Sequence, residues 1–302
     1  MTLLFRPLEL SGTTARNRLW VSPMCQYSAV DGVPNDWHHV HLAQFANGGA
    51  GVVIAEATAV VPEGRITPSD TGLWNDAQRD AWAPIVAAIH SRGALAGVQL
   101  AHAGRKASTH RPFDDARGSV APADGGWTTV APSAVAFDGY AEPVALDASG
   151  IDALVVAFGD AARRADEAGF DLLEVHAAHG YLLHQFLSPL SNERTDAYGG
   201  SLENRARLLL RVVAAVREAA PSRVIAVRFS ATDWADGGWG VDETATVAAW
   251  AGERGASVID ISTGGLVAHQ RITTGPGYQV PFAATVRERT GDTFGLCRKK
   301  VL

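Results

Sequence analysis

The sequence predicts an α/β fold built on a parallel sheet. Two observations carry this prediction: short apolar, β-branched runs alternate with longer helical patterns, and the runs are apolar along most of their length. Strands of this kind are typical of sheets that helices cover. The Gly-rich stretch NGGAG at 47–51 precedes a strand, whereas a dinucleotide-binding fingerprint follows a strand and opens a helix. A barrel is therefore favoured over an open Rossmann-type sheet.

Six candidate strands follow one another along the chain. They are Arg18–Pro23, Val52–Ala57, Leu95–Leu100, Leu172–His176, Val224–Phe229 and Ser257–Ser262. Helical patterns separate them, and Asp76, Ser201 and Asp242 stand where helix N-caps are expected. Residues 7–18 alternate around a Ser-Gly pair, which predicts a hairpin that closes the bottom of a barrel. Residues 101–149 are rich in Pro and Gly, and we expect them to form a long lid-like insertion.

Composition and charge narrow the class of partner. The net charge of −6 leaves no basic footprint for nucleic acid or for an anionic membrane surface. No apolar run approaches the ~20 residues that span a bilayer. Cys25 and Cys297 are the only cysteines and lie far apart, which excludes a disulfide framework and favours a reducing compartment. These features predict a cytoplasmic globular protein.

Polar residues at strand ends mark the candidate functional site. In a barrel the chemistry belongs at the carboxyl ends of the strands. Gln99, His176 and Arg228 stand within or at the end of apolar runs, and burying them costs several kcal/mol unless they are paired or bound to something. A buried guanidinium at Arg228 requires an anion or developing negative charge. The alternative is an internal ion pair with Glu56 or Glu174.

The segment EVHAAHGY places His176, His179 and Tyr181 on one turn after the fourth strand. Two histidines with Glu174 nearby could bind a metal ion, which would make the protein a metal-dependent barrel hydrolase. No H-E-x-x-H motif is present, however, and two neutral histidines can equally donate hydrogen bonds to one carbonyl oxygen. At this level both interpretations stay open.

Four longer segments then resemble one known family. They are SPMCQYSAVDG at 22–32, DWHHVHLAQFANGGAGVVIAEATAV at 36–60, QLAHAGRK at 99–106 and EVHAAHGYLLHQFLSPLSNERTDAYGGSLENR at 174–205. Together with the strand that carries Arg228, they resemble the Old Yellow Enzyme family, most closely its bacterial subgroup with a cysteine after Pro-Met. The resemblance runs from the N-terminus to about Arg289.

This resemblance implies a TIM (β/α)8 barrel that holds non-covalent FMN, takes electrons from NADPH and reduces activated C=C bonds of α,β-unsaturated carbonyl or nitro compounds. The FMN-binding residues that it implies are Ser22, Pro23, Met24, Cys25, Ala57, Gln99 and Arg228. The substrate-binding residues would be Tyr27, Cys25, His176 and His179. Tyr181 would donate the proton, with His176 and His179 as catalytic hydrogen-bond donors and no metal. The resemblance also implies a homo-oligomer.

The end of the chain departs from the family. A barrel needs eight strands, and only six are evident. TFGL at 293–296 could begin strand seven, whereas RKKVL at 298–302 does not resemble the family. We therefore expect a single domain over 1–302 with an atypical tail at about 291–302, lacking most of strand seven and strand eight. The alternative function is accordingly a truncated barrel with weak or no FMN binding and little activity.

Overall fold

A computed structural model describes residues 2–291 of the chain. Its centre is a six-stranded parallel sheet in which neighbouring strands follow the order of the chain. The strands are β1 (Trp20–Val21), β2 (Val52–Ala59), β3 (Leu95–Ala101), β4 (Leu172–Ala177), β5 (Val224–Ser230) and β6 (Val258–Ser262). All six therefore end at the same edge of the sheet, as in a (β/α) barrel.

Helices connect these strands. They are α1 (Asp36–Asn47), α2 (Asp76–His90), α3 (Ala148–Glu167), α4 (Leu182–Leu187), α5 (Leu202–Ala219), α6 (Val241–Glu253) and α7 (Val280–Thr290). Among residues 2–291, no helix is long and apolar enough to cross a membrane. The helices instead pack on the outer face of the sheet, over side chains such as Val53, Val175 and Val227.

Three helix starts test the predicted N-caps. Ser201 caps α5 as expected. The prediction for Asp76 is wrong by one residue, because Asn75 is the cap. Its side chain accepts a hydrogen bond from the Gln78 amide, and the Gln78 side chain accepts one from the Asn75 amide. The prediction for Asp242 is also wrong, because the cap position is held by Gly240 and Asp242 lies in the first turn. Acidic residues are favourable there through the helix dipole, so composition alone could not separate the two positions.

The strand bounds differ from the prediction mainly in β1. The predicted strand Arg18–Pro23 is reduced to two residues, because the Arg18 amide donates to the Leu4 carbonyl and the Leu19 amide donates to the Asn17 side chain. Those amides are therefore unavailable to a sheet ladder. The predicted start of strand seven at 293–296 lies outside the described residues, and the shortened barrel stays a prediction.

Side-chain alternation divides the sheet into two cores. The inner core lies at the amino ends of the strands and contains Leu172, Val224 and Val258. An N-terminal hairpin of Leu8–Leu10 and Thr13–Ala15 packs against this end. Further along each strand the inward side chains become polar. Apolar side chains thus fill the core at the amino ends of the strands, and the candidate site lies at their carboxyl ends.

Residues 101–149 lie above the carboxyl edge. They contain short 3₁₀ turns and two paired two-residue strands, Val130–Ala131 and Val144–Ala145. Arg105 fixes this segment, because its guanidinium donates to the Val135 carbonyl at 3.0 Å and to the Leu266 carbonyl, beyond β6, at 2.8 Å. The long insertion is thereby tied across the sheet to the loop after the last described strand.

Candidate active site

Strand register brings the polar candidates together at the carboxyl edge. Ala57 lies opposite Gln99, and His176 lies opposite Arg228. Arg228 in turn lies opposite Asp260 on β6. Neighbouring strands are about 4.8 Å apart, so residues in register share one level of the sheet. Predicted site residues from four strands therefore occupy one surface.

The partner of Arg228 differs from both alternatives read from the sequence. Its Nε lies 3.3 Å from Asp260 Oδ2, and both side chains are buried. Glu174 instead accepts a hydrogen bond from Gln99 Nε2 at 2.9 Å, and Glu56 lies 3.3 Å from His38 Nε2. The ion pair found is thus with Asp260; register places Glu174, one of the two alternatives, beside Ala226, two residues deeper in the sheet than Arg228.

His176, His179 and Tyr181 form a compact aromatic cluster. The ring centroid of His176 lies 5.2 Å from that of His179 and 5.0 Å from that of Tyr181, with steep interplanar angles of 83° and 72°. Burial, reinforced by the Arg228 charge, holds the pKa of both histidines well below its usual range. Both imidazoles are therefore neutral near pH 7, and each carries one N–H.

One nitrogen of this cluster has no partner. His176 Nδ1 is buried and makes no hydrogen bond to any residue between 2 and 291. His179 Nε2, in contrast, lies 2.7 Å from Ser262 Oγ. An unpaired buried polar atom is costly, which is expected where a ligand supplies the missing partner. His176 Nδ1 thus supports a binding position at this cluster.

The turn that carries His179 has a constrained backbone. His179 adopts a positive φ of 59°, followed by Gly180 at 73°. The His179 amide donates to Ser230 Oγ at 3.0 Å, and its carbonyl accepts from Lys106 Nζ at 2.9 Å. A side chain at Gly265 would place its Cβ 2.6 Å from the His179 Cα. The left-handed conformation is therefore enforced by packing from three neighbouring segments.

Cys25, Tyr27 and Tyr181 remain protonated at neutral pH. Burial, together with the nearby Asp70 and Glu56 carboxylates, raises the pKa of the Cys25 thiol. Burial, the adjacent Cys25 and the same two carboxylates raise the pKa of Tyr27. Burial also raises the pKa of Tyr181 well above its usual range. Tyr181 is therefore a neutral phenol that can donate a proton.

Three of the cofactor residues implied by the resemblance line two small cavities. Ala57 and Tyr181 line one small cavity, together with Ala59, Ala101, Ala103, Gly64, Arg65, Ile66 and Asp70. Ser22 and Met24 line a neighbouring cleft against α1, and Met24 is 44% exposed. The donor set at the strand ends fits a flavin: the Arg228 cation, in register with His176 and Asp260, supplies a fixed charge at this level of the sheet.

Several residues were not anticipated as part of the site. Asp260 stands inside the apolar strand VIDIS, so the criterion that selected Arg228 could have selected it as well. Lys106 belongs to the QLAHAGRK motif, but its bonds to the His179 and Gly265 carbonyls depend on residues far along the chain. Within the described part of the chain, no group of three or more His, Cys, Asp or Glu side chains is placed to hold a metal ion.

A family comparison gives the class of protein to which this site belongs. The NADH:flavin oxidoreductase / NADH oxidase family matches residues 3–290. The chain belongs to this family, the Old Yellow Enzyme family, and is a flavin-dependent NAD(P)H oxidoreductase.

Individual relatives agree with this assignment. The chain is 46% identical to an NADPH dehydrogenase of Listeria welshimeri over 299 residues, which cover 98% of this chain and 83% of that protein. Morphinone reductase superposes with a TM-score of 0.78 at 32% identity, over 95% of this chain and 77% of its own. The Old Yellow Enzyme homologue of Zymomonas mobilis superposes with a TM-score of 0.77 at 29% identity, over 98% of this chain and 89% of its own. The predicted family and barrel class are confirmed.

Proposed function

We propose that this protein uses NADPH to reduce activated C=C bonds of α,β-unsaturated carbonyl or nitro compounds. The observation that carries the proposal is the unpaired, buried His176 Nδ1 beside His179 and Tyr181. Two neutral imidazoles on one side of a phenol suit a substrate oxygen that gains negative charge during the reaction. The Listeria relatives are NADPH dehydrogenases, which supports NADPH as the reductant.

Bound FMN would supply the hydride-transfer chemistry between NADPH and the substrate, and residues at the strand ends would hold it. Arg228 would lie at the ring level and hold a positive charge that favours the reduced cofactor. Asp260, 3.3 Å from Arg228, would keep the guanidinium in place. Gln99 and Ala57, side by side in the register, would contact the ring. Ser22, Pro23, Met24 and Cys25 are proposed to line its other side.

The chain's own residues would then manage the substrate. His176 and His179 donate hydrogen bonds to the carbonyl or nitro oxygen, which orients the alkene and stabilises negative charge where it develops. Tyr27 and Cys25 contact the bound substrate from the segment after β1. Tyr181 delivers the proton to the α-carbon as a positioned general acid. The raised pKa of Tyr181 keeps that proton available across the physiological range.

The test begins with the visible spectrum of the purified protein, which reports its flavin content. Enone reduction with NADPH and with NADH then follows in separate assays. His176→Ala is expected to weaken phenol and enone binding by about tenfold or more, because one hydrogen bond to a charged oxygen contributes about 1.5–3 kcal/mol. His90→Ala is a suitable control, because His90 pairs with Asp171 on the protein surface. Unchanged affinity in His176→Ala would contradict the oxygen-binding role.

A further inference from the structure

The turn between β4 and α4 is held by side chains from outside it. The Gly180 amide donates to His184 Nδ1 at 2.9 Å, and the Gly180 carbonyl accepts from Gln185 Nε2 at 2.7 Å. Gly180 lies between His179 and Tyr181, so its two polar groups fix the peptide units that carry both residues. Any change at this amide alters the position of both side chains.

The bond from Gly180 determines the tautomer of the His184 ring. Since Nδ1 accepts a hydrogen bond from an amide, it carries no proton, and the proton of the neutral ring must lie on Nε2. Nε2 faces Asp233 Oδ1 at 2.9 Å, and both side chains are 0% exposed. A tautomer with its proton on Nδ1 would place two donors against each other at Gly180.

Asp233 is itself held in the form that this tautomer needs. Its other oxygen, Oδ2, accepts from Ser188 Oγ at 2.6 Å and from the Trp239 amide at 2.8 Å. Burial alone would raise the pKa of Asp233, but the contacts with His184, Ser188 and Trp239 hold that pKa below its ordinary value. An ionised carboxylate oxygen therefore lies 2.9 Å from His184 Nε2, within ion-pair distance.

We infer that His184, oriented by Asp233, is the positioning residue for the His179–Tyr181 turn. The path runs from the Asp233 carboxylate to His184 Nε2–H, and from His184 Nδ1 to the Gly180 amide. His184 touches no substrate and acts through the turn. The activity readout rests on the proposed alkene reduction, whereas the structural readout below does not.

Two substitutions of His184 separate its two contacts. In His184→Asn, the amide oxygen can occupy the place of Nδ1 and still accept from Gly180, but the side chain does not reach Asp233. In His184→Gln, the side chain reaches Asp233 and loses the acceptor for Gly180. We expect amide exchange of the segment 178–182 to be at least about tenfold faster in the glutamine variant than in the asparagine variant.

The same pair should differ in catalysis. In the glutamine variant we expect alkene reduction to fall by about 10–100-fold, the range found when groups that orient a site are lost, with flavin reduction by NADPH changed far less. The asparagine variant should lose less of the alkene step, because it keeps the acceptor for Gly180 and loses only the orientation by Asp233. Ser188→Ala is the control, because it removes a bond to Asp233 without changing the His184 contacts.

The outcomes distinguish the alternatives. Equal losses in the two His184 variants, or a larger loss in His184→Asn, would overturn the inference and indicate a purely structural ion pair. If His184→Gln does not fold, Asp233→Asn replaces it as the test variant. The single side-chain oxygen of asparagine cannot accept from both His184 and Trp239, so we expect faster amide exchange at Gly180. Unchanged exchange at Gly180 would refute the inference. If the wild-type protein reduces no enone while the two His184 variants still differ in amide exchange, only the proposed function is refuted.

Discussion

Tyr181→Phe is the substitution that isolates proton donation from the rest of the proposed reaction. Phenylalanine keeps the ring that packs 5.0 Å from His176 and 5.2 Å from Lys106 Nζ. Only the hydroxyl is lost, so we expect little change in the fold or in flavin content. A positioned general acid contributes about 10²–10⁴ in rate, which corresponds to about 3–5 kcal/mol of activation free energy.

The expected loss is confined to one half of the reaction. Rapid-mixing measurements under anaerobic conditions can follow flavin reduction by NADPH and flavin reoxidation by an enone separately. Reoxidation should slow by about 10²–10⁴ in Tyr181→Phe, whereas reduction by NADPH, which needs no proton from Tyr181, should stay within about twofold. Tyr27→Phe is the matched control, because Tyr27 is proposed to bind substrate and should affect KM more than kcat.

The pH dependence gives a second check on Tyr181. Burial raises its pKa well above 10, so the phenol stays protonated and the donor is lost only at still higher pH. We therefore expect the alkene step to show no fall attributable to this group between about pH 6 and about pH 9. Equal slowing of both half-reactions in Tyr181→Phe, or full alkene reduction by that variant, would refute the reasoning.

Three further predictions concern the support of the site. Gly265→Ala should destabilise the protein by about 1–3 kcal/mol more than Gly12→Ala in urea unfolding. Both glycines have φ near 92°, but only at Gly265 would a Cβ lie 2.6 Å from His179. Equal losses of unfolding free energy in the two variants would contradict this close approach. Lys106→Met should lower the free energy of unfolding by about 2–4 kcal/mol and slow alkene reduction, because the His179 and Gly265 carbonyls lose a charged donor. A variant with wild-type stability would contradict the supporting role of Lys106. Burial raises the pKa of Asp70 to about 7, so the folded state keeps a proton that the unfolded state releases. The free energy of unfolding should therefore fall by up to about 4 kcal/mol as pH rises from about 4 to about 7, and Asp70→Asn should remove that slope, an outcome that unfolding at several pH values would check.

Much of the architecture was predictable because it depends on local pattern. Apolar runs of four to eight residues separated by amphipathic helices specify parallel strands, and all six strands lie within two residues of the prediction at each end. β1 was overestimated because its flanking amides bond to Leu4 and Asn17, which no local pattern announces. The shift of the α2 cap from Asp76 to Asn75 has a similar origin, since both residue types favour that position.

The candidate site residues could also be identified from the sequence, since a polar residue inside an apolar strand stands out without knowledge of the fold. Gln99, His176 and Arg228 were recognised in this way, and the EVHAAHGY segment placed His176, His179 and Tyr181 within six residues. What the sequence could not supply was the partner of each group. Arg228 pairs with Asp260 rather than with Glu56 or Glu174.

Partnership was decided by the tertiary structure for a physical reason. Two side chains on neighbouring parallel strands meet only when the register places them at one level, and a shift of one residue turns a side chain to the opposite face. The β2 strand contains such an irregularity between Ala55 and Ala57. The contact between His184 and Asp233 likewise joins positions 49 residues apart through the packing of α4 against the loop after β5. The sequence alone determined which side chains are available for the chemistry, and only the folded chain determined which of them hold one another in place.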